Sequence, residues 1–239
     1  KLLIFIKNKY IWLLMEQDEK YISMCMSLAK QGIGKVSTNP MVGCVIVHQG
    51  RIIGQGYHEV YGGPHAEVNA INDVHDKSLL AESTLYVNLE PCSHQGKTPP
   101  CTDIIIEYDI PKVVIGCIDT FSQVSTKGIE KLKEAGIEVI VGVLKNHAQE
   151  LNKRFFNYHN KKRPYVILKW AETADGFIDV DRTDKENLAR LKKEADDKNE
   201  GKSYNWITTA ESKNLAHHWR TKVQPIMIGT NTPPNDNPK

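Results

Sequence analysis

Four residues of this chain have types and spacing that suit one piece of chemistry. His65 and Glu67 stand in Gly63-Pro64-His65-Ala66-Glu67-Val68, and Cys92 and Cys101 close the ends of Pro91-Cys92-Ser93-His94-Gln95-Gly96-Lys97-Thr98-Pro99-Pro100-Cys101. One imidazole nitrogen and two thiolates are a donor set for Zn2+, and three protein ligands leave a fourth tetrahedral position open for water. A zinc ion brings the pKa of such a water toward ~7, so hydroxide is available at neutral pH. Glu67 is not expected to be a ligand; it is read as the group that carries the proton from water to a leaving amine. A closed structural zinc site would want a fourth Cys or His at close spacing. His94 is the nearest candidate, and its place between the two cysteines makes that geometry awkward. The spacing therefore points to an open, hydrolytic site.

These residues need elements to hold them. Residues 18–31 put Ile22, Met26 and Ala29 on one helical face, and Gly32 and Gly34 stop the helix. Residues 41–47 read as a buried strand, turned at His48-Gln49-Gly50 into a second strand over residues 51–56. Pro64 suits the start of a helix carrying His65, Glu67 and Ala70. Two residues apart, His65 and Glu67 do not share a helix face, yet both can border a metal at the helix N-terminus. Strands are expected over residues 84–88, 112–117 and 137–143, and helices over 102–108, 126–135 and 147–160, the last with Leu151, Phe155 and Tyr158 on one stripe. Strands alternating with helices imply a three-layer α/β/α sandwich. Residues 160–164, Asn-Lys-Lys-Arg-Pro, mark the expected domain boundary. Beyond it come a strand over 165–171, a turn at Thr173-Ala174-Asp175-Gly176, a charged insertion over 181–202, a helix over 208–220 and a strand over 225–229. The expected organisation is an N-terminal extension at 1–17, a zinc-dependent domain at 18–160 and a second, thin domain at 164–239.

Composition excludes several classes. At 239 residues, with 40% hydrophobic and 25% charged residues, the chain is an ordinary globular protein. A net charge of +2 gives no case for a nucleic-acid surface. Five cysteines, two of them claimed by the metal, make no disulfide framework; Cys25, Cys44 and Cys117 read as buried thiols, which suits a reducing cytoplasm. Lys7-Asn8-Lys9 divides the apolar start, so neither half reaches the ~20 residues of a membrane span. Residues 1–14 are expected to be an upstream extension or misassigned start rather than a targeting element. Oligomeric state is left open, including a homo-oligomer.

The spelling of the motifs narrows the chemistry. His65-Ala66-Glu67-Val68-Asn69-Ala70-Ile71, the stretch from Glu90 to Cys101 and Thr38-Asn39-Pro40-Met41-Val42-Gly43-Cys44-Val45-Ile46-Val47 together resemble the bifunctional riboflavin-biosynthesis deaminase/reductases. The resemblance covers roughly residues 18–239. It implies a cytidine-deaminase-like domain that hydrolyses the 2-amino group of a diaminopyrimidinone ribosyl phosphate, followed by a dihydrofolate-reductase-like α/β domain that reduces the ribosyl group with NADPH. Carried over to this sequence, the zinc ligands fall on His65, Cys92 and Cys101, the proton shuttle on Glu67, and substrate contacts on Asn39, His58, His94 and Lys97. Asn39 offers both a donor and an acceptor to a pyrimidine edge, and the others suit ribose and phosphate oxygens. For the reductase part, cofactor contacts fall on Ala171, Trp206, Thr232 and Asp236, and a substrate-phosphate contact on Arg220. The chain departs from that pattern in three ways. Tyr204 stands where a small hydroxyl residue is usual, residues 181–202 lengthen a connection, and the later reductase motifs are not reached. The reductase domain is accordingly expected to be incomplete and the chain a piece of a longer one. Cytidine- or deoxycytidylate-type and tRNA-adenosine deaminases are the alternative enzyme readings. A structural zinc-stabilised assembly module is the alternative of another class.

Overall fold

The computed structural model describes residues 2–96, 98–120, 126–181, 183–197, 207–223 and 225–229, without the side chains of 2–15 and 194–197. It divides into two compact units, Lys1–Tyr165 and Val166–Lys239. In the first, helix α1 spans Leu2–Ala29. Ile22, Cys25, Met26 and Ala29 recur at helical spacing and are buried, as the periodicity implies. The expected start at residue 18 is corrected: neither Gly nor Pro interrupts residues 2–29, and the helix runs through residue 17 without a break. Past Ala29 the chain tightens through Lys30–Gly32, and Gly34 takes φ 81°, a left-handed conformation that glycine adopts without steric cost.

Five strands follow: β1 Gly43–His48, β2 Arg51–Tyr57, β3 Thr84–Leu89, β4 Lys112–Cys117 and β5 Glu138–Val141. They form one sheet in the order β2-β1-β3-β4-β5. The β2/β1 and β1/β3 pairs are antiparallel, and β3/β4 and β4/β5 are parallel. The strands β1, β3 and β4 are apolar without alternation because both faces of the sheet are covered. Cys44, Ile46, Leu85, Val87, Val113 and Ile115 pack on one side with α2 (Ala66–Asp73), α3 (Cys101–Glu107) and α4 (Lys127–Glu134). Val45, Val47, Tyr86 and Val114 pack on the other with α1, α5 (Lys145–Leu151) and α6 (Lys153–Lys161). The three-layer α/β/α arrangement is as expected. A glycine is needed at Gly43, where a Cβ would stand 2.1 Å from the Cys25 carbonyl oxygen of α1.

In the second unit the turn at Thr173-Ala174-Asp175-Gly176 forms as expected. Gly176 takes φ 87°, its N–H donates to Thr173 O at 2.9 Å, and the Thr173 N–H donates to Phe177 O at 2.9 Å. The charged insertion contains helix α7, Lys185–Asp197, whose first N–H groups donate to Asp184 Oδ1. Helix α8, Ala210–Arg220, is capped by Thr209. Residues 165–171 and 225–229 were expected as strands and carry no regular secondary structure instead. A strand exists only through ladder bonds to a neighbour, and no described segment pairs with either. Their apolar residues are exposed, Leu168 at 77% and Met227 at 95%.

Two buried polar side chains tie the elements of the first unit to the loops that carry chemistry. Glu90 follows β3 and is buried. Its Oε1 accepts from the N–H groups of Gly128 (3.1 Å) and Ile129 (3.4 Å), and its Oε2 from those of Asp119 and Thr126, each at 3.2 Å. One carboxylate thus satisfies the open N-terminus of α4 and the loop after β4 together. Gly128 lies so close that a Cβ there would meet Pro91 O at 2.1 Å. Asn152, also buried, breaks the single helix expected over 147–160 into α5 and α6. Its Oδ1 accepts from Met41 N (2.8 Å) and its Nδ2 donates to Met41 O (2.8 Å), which Asn88 Nδ2 also reaches (3.1 Å). The break shifts the helical phase: Phe156 becomes the buried residue and Tyr158 is exposed, so the expected stripe is corrected. Glu90→Gln, which sets an amide N–H2 against backbone donors, is expected to lower the unfolding free energy by about 3 kcal/mol, and Asn152→Ala by about 2 kcal/mol. Urea denaturation checks both; a change below about 0.5 kcal/mol, the range of ordinary surface substitutions, would contradict these anchoring roles.

Candidate metal centre and its cavity

His65 is the N-cap residue of α2, in extended conformation (φ −76°, ψ 165°), and its ring makes no capping bond. It is therefore free to face elsewhere. Its Nδ1 lies 3.2 Å from Cys101 Sγ and 3.5 Å from Cys92 Sγ. Cys101 opens α3, and its backbone N–H donates to Cys92 Sγ at 3.3 Å. The Thr102 N–H donates to Cys92 O at 3.1 Å, which closes the loop between the cysteines on itself. One ligand atom from each of His65, Cys92 and Cys101 lies within 4.8 Å of the other two. A zinc ion bonded at roughly 2.0–2.3 Å to each holds such atoms about 3.5–4 Å apart, so the set fits a metal with little adjustment. The other His65 nitrogen, Nε2, is 3.4 Å from Thr98 Oγ1, a partner that would fix the ring once Nδ1 is a ligand.

Electrostatics point the same way. The hydrogen bond from Cys101, then that from His65, hold the Cys92 thiol down at about 4, against its burial. Cys101 is pushed up, first by that bond to Cys92 and then by burial, so one proton serves both sulfurs. His65 is raised above the usual imidazole range by its bond to Cys92. Burial raises Glu67, whose carboxyl sits 3% exposed in the first turn of α2, against the Cys101 thiol. A metal ion bound by all three groups would take the place of the proton shared between the sulfurs and of the His65 Nδ1 proton. All five cysteines are free thiols.

A cavity of about 330 Å³ opens beside the cluster. It is lined by His65, Cys92 and Glu67 and, of the expected substrate contacts, by Asn39, His58 and His94. Cys101 is fully buried and does not line it. His58 has both ring nitrogens engaged: Nδ1 donates to Pro64 O (2.9 Å), and Nε2 accepts from Asn39 Nδ2 (3.1 Å). Burial holds its pKa below the usual range, in keeping with a neutral ring. It is thus placed to orient Asn39 rather than to grip a phosphate directly. Lys97, Trp206, Thr232 and Asp236 lie outside the described residues. In the second unit, Ala171 is half-buried in a segment without regular secondary structure, and Arg220 ends α8 with Nη1 donating to His217 Nδ1 at 3.4 Å. The cavity also holds Thr98, Asp119, Phe155 and His159, which sequence reasoning missed. The one available signal was the i, i+4 spacing of Phe155 and His159 beside the predicted stripe. A larger hollow of about 410 Å³ between β2 and α2 gathers no His or Cys. Among the described residues no helix is long and apolar enough to cross a membrane.

Residues 15–117 match the family profile of the cytidine and deoxycytidylate deaminase zinc-binding region. The chain is 45% identical to the riboflavin biosynthesis protein RibD of Aquifex aeolicus over 93% of its own length and 57% of that protein. It is 43% identical to RibD of Actinobacillus pleuropneumoniae over 92% of its own length and 53% of that protein. The crystal structure of a diaminohydroxyphosphoribosylaminopyrimidine deaminase/5-amino-6-(5-phosphoribosylamino)uracil reductase from Thermotoga maritima superposes with a TM-score of 0.79 at 42% identity, covering 94% of this chain and 58% of that one. The chain thus spans a little over half the length of these relatives. With its metal cluster, three-layer fold and these likenesses, the chain belongs to the riboflavin-biosynthesis deaminase/reductase family.

Proposed function

We propose that this chain hydrolytically deaminates 2,5-diamino-6-(5-phosphoribosylamino)pyrimidin-4-one, with zinc held by His65 Nδ1, Cys92 Sγ and Cys101 Sγ. The observation that carries this reading is a buried carboxyl, Glu67, beside a three-ligand cluster in a cavity that also holds Asn39. Zinc bound there supplies the Lewis acidity that makes a water nucleophilic near neutral pH. Glu67 takes a proton from the attacking water and returns it to the departing amine, so that the C–N bond breaks, a C–O bond forms and ammonia leaves. Asn39, held by His58, presents donor and acceptor atoms to the pyrimidine edge. His94, exposed on the loop between the cysteines and lining the cavity, is the contact we assign to the ribosyl phosphate, and Lys97, outside the described residues, is read as a second.

The partner is a small phosphorylated pyrimidine. A net charge of +2 supports neither a nucleic-acid nor a membrane partner, and the free thiols suit a reducing cytoplasm. We read residues 18–160 as the deaminase and 164–239 as the leading part of an NADPH-dependent reductase, with Ala171, Trp206, Thr232 and Asp236 as its cofactor contacts and Arg220 as its contact to the substrate phosphate.

Glu67→Gln is expected to retain one zinc per chain by metal analysis while its turnover falls by about 10²–10⁴-fold; substantial residual deamination by this variant would sink the proton-transfer role. In the second unit the apolar residues of 165–171 are largely exposed. Titration of the chain with NADPH, followed by cofactor fluorescence, is expected to show no saturable binding. A saturable curve would show that residues 164–239 form a cofactor site by themselves.

A further inference from the structure

The wall of the cavity that sequence reasoning missed belongs to α6. Phe155 and His159 are four residues apart, so they share one face of this helix, and both line the cavity that holds His65, Cys92, Glu67 and Asn39. Their rings lie against each other, centroids 4.4 Å apart at 52°. Phe156 anchors the helix from its other side, buried in the core with Tyr86 and Ala148 and edge-on to Phe155 at 5.6 Å. The start of α6 is fixed to the Asn39 loop: Asn152 clamps the backbone of Met41, two residues beyond Asn39, through both its amide atoms. An aromatic pair and a ring-edge donor are thereby carried on one braced unit.

We propose that Phe155 and His159 form the stacking wall for the heterocyclic ring of the substrate. This rests on the reading of the site as a pyrimidine-nucleotide deaminase and adds to it a surface that binds the face of the ring. Asn39 recognises polar atoms at one edge of a ring, whereas a π-face contact recognises the ring's plane. Stacking of a base on an aromatic side chain tolerates no loss of the aromatic partner without loss of affinity. Burial, then the nearby Lys162, hold the His159 ring below the usual imidazole range, which suits an uncharged aromatic surface.

The test separates ring binding from turnover. In the full chain carrying Glu67→Gln, calorimetry measures the Kd of the diaminopyrimidinone ribosyl phosphate and of ribose 5-phosphate, a probe without the pyrimidine. Phe155→Leu is expected to weaken the nucleotide by about tenfold, within the range of base–aromatic stacking, and to leave ribose 5-phosphate within about twofold. Phe155→Tyr is expected to restore the nucleotide Kd to near its original value. An unchanged nucleotide Kd in Phe155→Leu, or equal losses for both probes, would overturn the stacking wall. Turnover of the nucleotide by the unsubstituted chain is measured alongside: its presence with an unaffected Kd overturns only the stacking wall. Its absence together with a lack of nucleotide binding overturns the function and the wall alike.

Discussion

Two cysteine sulfurs and an imidazole nitrogen packed within 4.8 Å of one another form an arrangement that the fold must work to hold. Two thiolates would repel at that distance and burial raises the cost of every uncompensated charge, so one proton is shared between the sulfurs. The chain meets this with two helix starts. His65 occupies the N-cap position of α2 and Cys101 opens α3, so the positive ends of two helices face the cluster and a backbone N–H reaches Cys92 Sγ. His65, Cys92 and Cys101 would hold a dication there, and its charge would complete the compensation.

The supports of this cluster are polar and buried rather than apolar. Glu90 stands two residues before Cys92 and gathers four backbone N–H groups from the β4–α4 region. The loop bearing Cys92 cannot shift without disturbing the cap of α4. On the other side of the cavity, Asn88 and Asn152 share Met41, and the Asn39 loop is held from β3 and from α6 at once. Such groups specify position more sharply than a hydrophobic contact, because each loses its partner if displaced by an ångström. His65, Cys92, Cys101, Glu67 and Asn39 are therefore set by different elements joined through side-chain amides and a carboxylate.

Much of this was legible in the sequence. The strands β1, β3 and β4 read directly from unbroken apolar runs, since a sheet covered on both faces leaves no alternation to misread. His65, Glu67, Cys92 and Cys101 read from spacing, because a metal admits few residue types. The break at Asn152 did not, as residues 147–160 contain neither Gly nor Pro and the interruption comes from a tertiary hydrogen bond to Met41. With the break went the helical phase, and Phe155 was grouped with Tyr158 on one stripe rather than with His159 on the cavity wall. Glu90 was visible only as the end of a strand; its four partners lie 29 to 39 residues away in sequence. Residues 165–171 show the converse limit, where β-propensity was present and no ladder partner was found among the described residues.

The central claim is that this site deaminates a free diaminopyrimidinone nucleotide rather than the cytidine-type substrates of proteins with the same zinc-binding region. Side-by-side measurement of ammonia release by the zinc-loaded chain from the diaminopyrimidinone ribosyl phosphate, cytidylate, deoxycytidylate and a tRNA tests it most directly. Release from the first, at a kcat/KM at least about 100-fold above the others, is the predicted result, a difference of about 2.7 kcal/mol in transition-state binding. Preferred turnover of a cytidine nucleotide or of tRNA, or no ammonia from any of the four, would contradict it.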